Sequence, residues 1–531
     1  MVAIVLGMTL RAQAQGPYIA YILPDIGTPA MNTYVEIYTS YGSTNAFGSD
    51  GIYANNPTDP VQVVCSNAND FSKIIIGPVV VSSNGQLIST QIFVMPGVVP
   101  NSTNWHALAS QFRIPIKVIV NNVQSNADTF YCVAPQNFGV KNATGTIGSG
   151  ATWGMRSRRG AMIVDSMILT GAGVYKIDTS DCDPSTSRND GYLPLTIISK
   201  GKLSVSAGSS IDISAPNNNG APGGGGGGHG KWAPCATVPQ GVGIRGPNSQ
   251  GYSKGGGEYY LDPLYCDPVR YSLNDAPGGS CGIFDSSGGG GTGFPFSSGG
   301  SGPTFDFSQC QTTALGVSGG NGGSHDPVRG GGGGGFATPG DGAAGCPTSN
   351  GGLQVGNMHL VPIGGGSGGG GGNGAYCNGS GTGGGGGGAF ALWGMIQADV
   401  NEMDAQGGVG EAGLWVGNFG INSSGGGGAG GGLIVGGKLS VSGNLSMKVA
   451  GGLGGAAPGA GGNGGAGRVR YDGPIGAAPV VSPVTASVYR GLSTDTSHVP
   501  LPTFTLTGSG NGQPIRLYLK SERTLDRKSV V

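Results

Sequence analysis

Residues 225–231, Gly-Gly-Gly-Gly-His-Gly-Lys, follow the first seven positions of a phosphate-binding loop. In such a loop backbone N–H groups cradle a polyphosphate and the lysine meets its outer oxygens. Trp232 then stands where a hydroxyl must reach magnesium, and the preceding residues are glycines rather than a buried strand leading into a helix. Gly241, Gly243 and Gly246 have dinucleotide-loop spacing without a flanking strand or helix. Gly365-Gly366-Ser367-Gly368-Gly369 imitates a nucleophile elbow, but glycine-saturated sequence produces such matches by chance. His325-Asp326 is the one His–carboxylate neighbour pair, and side chains of adjacent residues diverge in extended chain. Calcium-binding nonapeptides need repeated G-G-x-G-x-D, which is absent. No catalytic residue, metal site or cofactor is therefore expected, and the chain reads as a non-enzyme.

Recognition chemistry is better represented. Tyr259, Tyr260, Tyr265, Tyr271, Phe294, Phe296, Phe305 and Phe307 crowd two stretches between glycine blocks. Rings on exposed loops stack on sugar faces and anchor interfaces, and the same rings also suit a small capping core. Arg156, Arg158 and Arg159 form the one basic cluster, read as a solvated loop in preference to a contact for an acidic polymer. The nine cysteines include no C-x-x-C pair, which excludes zinc-ribbon and redox readings. Cys235, Cys266, Cys281, Cys310, Cys346 and Cys377 are disulfide candidates with 15 possible connectivities; Cys182 is the candidate for the odd thiol.

Composition bounds what can position these residues. Of 531 residues 113 are glycine, and only 10% are charged, against roughly 25% in ordinary soluble domains. A net charge of −1 offers no steering field for nucleic acid. No run of 18 apolar residues exists to span a membrane, and the glycine blocks lack collagen's period of three. Residues 1–15 read as a signal peptide, with an apolar stretch before a small-residue cleavage site. Residues 526–531 resemble a translated sequencing adapter.

The remainder reads as all-β in three textures. Residues 16–135 carry short β-branched and aromatic runs separated by Gly, Pro, Asn and Asp, with Asn84-Gly85 as a hairpin turn, and predict a β-sandwich. A linker is expected over 136–160. Residues 161–215 and 389–472 form two parts of a β scaffold. Within them Gly201-Lys202-Leu203-Ser204-Val205-Ser206 recurs as residues 437–442, with a degenerate copy expected at 390–400. Repeated strand-turn-strand units stack, so a β-solenoid is preferred to an irregular sandwich. Residues 216–388 form a glycine-rich insert, and the scaffold's second part has glycine-rich turns. An isolated glycine block stays loose, because ordering a residue costs about 1–2 kcal/mol and one hydrogen bond returns about 0.5–1.5 kcal/mol. Many blocks side by side, as side-chain-free helices of the polyproline II type, can cross that threshold. Residues 473–525 are expected to begin a further, truncated immunoglobulin-like domain.

Two resemblances follow. Ile22-Leu23-Pro24-Asp25-Ile26-Gly27, the Phe47-Gly48 pair and a last strand ending near Phe130 make 16–135 similar to an IPT/TIG immunoglobulin-like domain. Such domains serve as stalks in surface proteins. The glycine blocks with their aromatic connecting loops resemble polyglycine-bundle proteins, of which phage tail-tip adhesins and polyglycine antifreeze proteins are types. The resemblance implies a polyglycine II scaffold whose loops meet a receptor. The expectation is thus a secreted or bacterial cell-surface adhesin, binding a glycan or cell-surface receptor through the 258–310 loops. A purely structural glycine-rich matrix component is the first alternative, and a carbohydrate-active enzyme on a β-helix the second.

Overall fold

The computed structural model describes residues 16–178, 194–228, 330–372, 381–413, 423–473 and 479–491, with short interruptions. All regular structure among them is strand. No helix there is long and apolar enough to cross a membrane.

The first unit is two sheets face to face. One has the order Tyr21–Leu23, Met31–Tyr38, Leu87–Val94, Val79–Val81, Gly51–Tyr53, with Ile74–Ile76 also on Leu87–Val94. The other has the order Val123–Gln124, Phe112–Val120, Asp128–Cys132, Ile26–Gly27, with Val61–Cys65 also on Phe112–Val120. Pairing is antiparallel except between Asp128–Cys132 and Ile26–Gly27. Alternate residues (Val35, Ile37, Ile88, Ile92, Ile114, Ile116, Val118) point inward and share a core with Phe47 and Phe130. Period-2 patterning makes this half-buried arrangement, because successive side chains leave a strand on opposite faces.

The second unit winds. Its strands are taken up in rotation by three sheets, all of whose pairings are parallel. The first face stacks Gly139–Lys141, Met167–Leu169, Lys202–Val205, Gln397–Val400 and Ser440–Val441. The second stacks Thr146–Ile147, Gly173–Ile177, Ser209–Asp212, Glu402–Asp404, Ser446–Lys448 and Val480–Ser482. The third stacks Ala161–Val164, Leu195–Ser199, Ala389–Gly394, Gly432–Gly437, Arg468–Asp472 and Ser487–Gly491. Leu195, Phe390, Leu433 and Val469 are successive register partners, and their side chains fill the interior of the coils.

Several boundaries differ from those read in the sequence. Residues 136–160, expected as a linker, supply Gly139–Lys141, Thr146–Ile147 and a small hairpin of Ser149–Gly150 with Gly154–Met155. Trp153 from that hairpin lies against Phe138 and Tyr175 at the start of the coils. Arg156 is 2% exposed and not solvated. Residues 480–491, expected to open a new domain, add strands to the second and third faces. The literal repeat stacks with a shift of two residues: Leu203 lies over Ala398, which lies over Val441 rather than Leu439. A two-residue shift keeps every side chain on its own face.

The two units share a third core. Ile26, Met31 and Val133 of the sandwich pack with Ala161, Ile163, Ile198, Ala391, Trp393 and Ile434 from the outer side of the third face. Ser157 donates to Asp25 across the same junction, 2.5 Å between oxygens.

Candidate functional site

Each long glycine excursion leaves the second face and returns to the third. The segment after Ser209–Asp212 rejoins at Ala389–Gly394, that after Glu402–Asp404 at Gly432–Gly437, and that after Ser446–Lys448 at Arg468–Asp472. The glycine segments extend the coils sideways as a packed array. Residues 423–431 run through its middle. Their N–H groups donate in rotation to residues 459–465, 405–411 and 367–370: Ser424 to Gly459, Gly425 to Glu411, Gly426 to Gly370, then Gly427 to Gly462, Gly428 to Gly408 and Ala429 to Ser367. Their carbonyls accept from 381–387, 331–334 and 452–455. Each neighbour is met again every third residue, which pairs donors and acceptors alike and leaves no cost of stranded backbone.

Glycine is required here by proximity rather than by a special φ. A Cβ on Gly428 would stand 2.0 Å from the carbonyl oxygen of Gly385, and one on Gly383 would stand 1.9 Å from that of Gly369. Large side chains such as Val409 and Leu453 occur where neighbouring segments face outward, while the few inside the array are small, as at Ser367, Ser424 and Ala429.

The array has two unlike ends. At the coil end, Gly388 donates to Ile213, Ala389 to Pro222, Gly431 to Ala405 and Gly467 to Val449. At the other end stand the flanks of four connections: Gly228 and Gly330, Gly372 and Gly381, Gly413 and Ser423, Ala456 and Gly459. Gly372 donates to Gly381, Gly381 to Ser423, Gly383 to Gly228 and Gly331 to Ser424. Ser424 gathers several of these. Its hydroxyl accepts from the Gly413 N–H at 3.0 Å and donates to the Ala456 carbonyl at 2.6 Å, while its N–H donates to Gly459. Glu411 adds a carboxylate that accepts from Thr382 N–H and Asn218 Nδ2.

The aromatic residues expected to bind, Tyr259, Tyr260, Tyr265, Tyr271, Phe294, Phe296, Phe305 and Phe307, lie outside the described residues, as do Cys182 and the six disulfide candidates. What is described is where their segment is rooted, at Gly228 and Gly330 on the free end. The two described cysteines, Cys65 and Cys132, are buried thiols of the sandwich. Burial pushes the Cys132 thiol up to about 12.

The described motif matches are occupied otherwise. Gly225, Gly227 and Gly228 donate their N–H groups to Gly366, Asn218 and Gly369, leaving none of these for a phosphate. Ser367 is fully buried inside the array. Carboxylates do line up on one face: Asp212 and Asp404 are register partners on adjacent coils. Burial works to raise Asp212, but hydrogen bonds from Lys176 and Ser214 and the Lys176 charge outweigh it and hold its carboxyl below the usual range. Ser214 also donates to Asp404, and Lys448 pairs with Glu402 at 2.9 Å. Glycoside hydrolysis pairs a carboxyl that keeps its proton with one that is ionised, and Asp212 is held toward the ionised state.

A second polar cluster lies at the junction, where sequence patterning gave no signal for it. Glu36 points outward from Met31–Tyr38 yet is 5% exposed, because the third face covers it. Tyr38 donates to its Oε2. Burial pushes Glu36 up to about 8, against the hydrogen bond of Tyr38, the charge of Arg470 and the nearby Tyr34 hydroxyl. Arg470 and Asp472, both fully buried, pair at 2.8 Å, and the Tyr489 ring lies 5.3 Å from the Arg470 guanidinium carbon.

Comparison with protein families, curated proteins and solved structures finds no match to this chain.

Proposed function

We propose that this is a secreted or cell-surface, non-enzymatic, adhesin-like protein. In this reading an immunoglobulin-like sandwich of the IPT/TIG kind acts as a stalk. A β-solenoid follows, and its polyglycine II array displays binding loops, with a glycan or cell-surface receptor as the target. The observation that carries the reading is the gathering of the flanks of successive connections at one end of the array. A rigid base that presents several loops side by side suits recognition, because function concentrates on loops held by a fixed scaffold. The aromatic residues of 258–310 belong to the longest of these connections.

The test is binding of the full chain, and of a form lacking 258–310, to a glycan array and to whole bacterial cells. Binding that disappears with 258–310, while the sandwich keeps its unfolding transition, is the expected result. Equal binding by both forms removes 258–310 as the contact. Silence from both favours a structural matrix component, the glycine array then serving as packing material.

A further inference from the structure

We infer that the cleft between the sandwich and the third face is a binding site for a primary ammonium group, received by the Glu36 carboxyl group against the rings of Trp393 and Tyr34. This site is separate from the free end of the array and does not depend on adhesion there.

The cleft measures about 40 Å³ and is lined by Glu36, Tyr34, Trp393, Thr196, Ile363 and Ile434 among others. A water needs roughly 10–15 Å³ by the same measure, so the space suits a few waters or one ammonium-sized group. Glu36 Oε2 is engaged by Tyr38, whereas the buried Oε1 makes no hydrogen bond of ordinary geometry. A polar atom so buried calls for a partner.

Charge balance selects a cation. The ionisable groups around Glu36 are Tyr34 and Tyr38 on its own strand, Arg470 and Asp472 on Arg468–Asp472, and Tyr489 behind Arg470. The cleft walls from the other elements carry no charge. Arg470 pairs with Asp472 and acts on Glu36 through its charge alone, so among the described residues no cation is paired directly with the Glu36 carboxyl. With the cleft empty, burial keeps it a neutral acid at pH 7. An entering R–NH3⁺ takes the place of that proton: the carboxyl releases H⁺ to solvent, the carboxylate accepts N–H bonds from the ammonium, and the buried cluster stays neutral. Aromatic faces beside the ammonium add cation–π attraction. Two sources share this chemistry, a small free amine and a lysine side chain of a partner.

The test titrates methylammonium chloride into the full chain by calorimetry and tryptophan fluorescence, with sodium chloride at matched ionic strength as reference. A parallel arm uses Nα-acetyl-lysine N-methylamide. Expected is saturable binding with about one proton released per amine below pH 8. Affinity rises about tenfold per pH unit from pH 6 and levels off above about 8, since only ionised Glu36 competes for the cation. Glu36→Gln copies the neutral acid in shape and abolishes binding; Trp393→Leu weakens it several-fold. If Glu36→Gln fails to fold, the pH profile of the unaltered protein and Trp393→Leu carry the test. Binding of both probes assigns the site to lysine side chains, and binding of methylammonium alone assigns it to small amines. Methylammonium indistinguishable from sodium, or bound equally by Glu36→Gln, overturns the inference.

Discussion

The indole of Trp393 lies over Gly436, its register partner on the next coil of the third face: a Cβ on Gly436 would stand 2.2 Å from the Trp393 ring. The missing side chain lets the ring lie down along the face, where it joins the apolar junction with the sandwich and lines the Glu36 cleft.

Gly436→Ala should therefore displace Trp393 and cost about 1–3 kcal/mol, the usual range for overpacking. Urea unfolding with tryptophan fluorescence checks this. An unchanged midpoint and unchanged fluorescence would mean that the junction does not need the flat ring.

Within the glycine array the effect of a methyl group should depend on position. Gly428→Ala puts a Cβ 2.0 Å from a backbone oxygen in a lattice with neighbours on every side, so a loss above about 3 kcal/mol is expected. Leu453 is 65% exposed on the outside of the same array, and Leu453→Ser should stay within about 0.5 kcal/mol. Comparable losses from the two changes, measured by thermal unfolding, would count against close packing as the reason for glycine.

Ser424 holds the flanks of two connections through one hydroxyl. Ser424→Ala leaves the Gly413 N–H and the Ala456 carbonyl without that partner, at a cost of about 1–3 kcal/mol. Hydrogen exchange should report the loss at Gly413 and its neighbours first, with the sandwich amides unaffected.

Stability should fall as pH rises through the titration of Glu36. Its folded value, about 8, lies above the ordinary 4.5. Below 4.5 the carboxyl is protonated in both states and its contribution is fully present. Between 4.5 and 8 the unfolded chain has released a proton that the folded protein keeps, and the contribution drains away by on the order of 4–5 kcal/mol in total. Urea unfolding across pH 5–9 measures the slope. Glu36→Gln, which cannot ionise, should flatten it, and an equally steep slope in that variant would place its origin elsewhere.

How much of this was legible beforehand depends on the length scale of each feature. The β-branched and aromatic runs that became strands such as Met31–Tyr38 and Leu87–Val94, set apart by turn residues, are local signals, and they marked the all-β character of residues 16–135. The copies at 201–206 and 437–442 marked the scaffold for the same reason, since stacked coils reuse one pattern. Their two-residue offset in the stack left no trace in the sequence, because a shift of two preserves the face.

The glycine blocks declared that close approach was possible, and nothing more. Whether Gly428 meets Gly385 or water is decided by neighbours far along the chain, brought beside it by the winding of the coils. Ser424 was invisible for that reason: its partners at 331, 413, 456 and 459 converge only through the lattice. Glu36 stands at an outward position of a strand buried on one face, and the third face, built from residues 161–491, covers that position. Sequence alone determined strand character, the repeat and the places where side chains are absent. Tertiary structure decided which backbone fills each absence and which polar groups lose their water, because both depend on contacts between residues that share no local pattern.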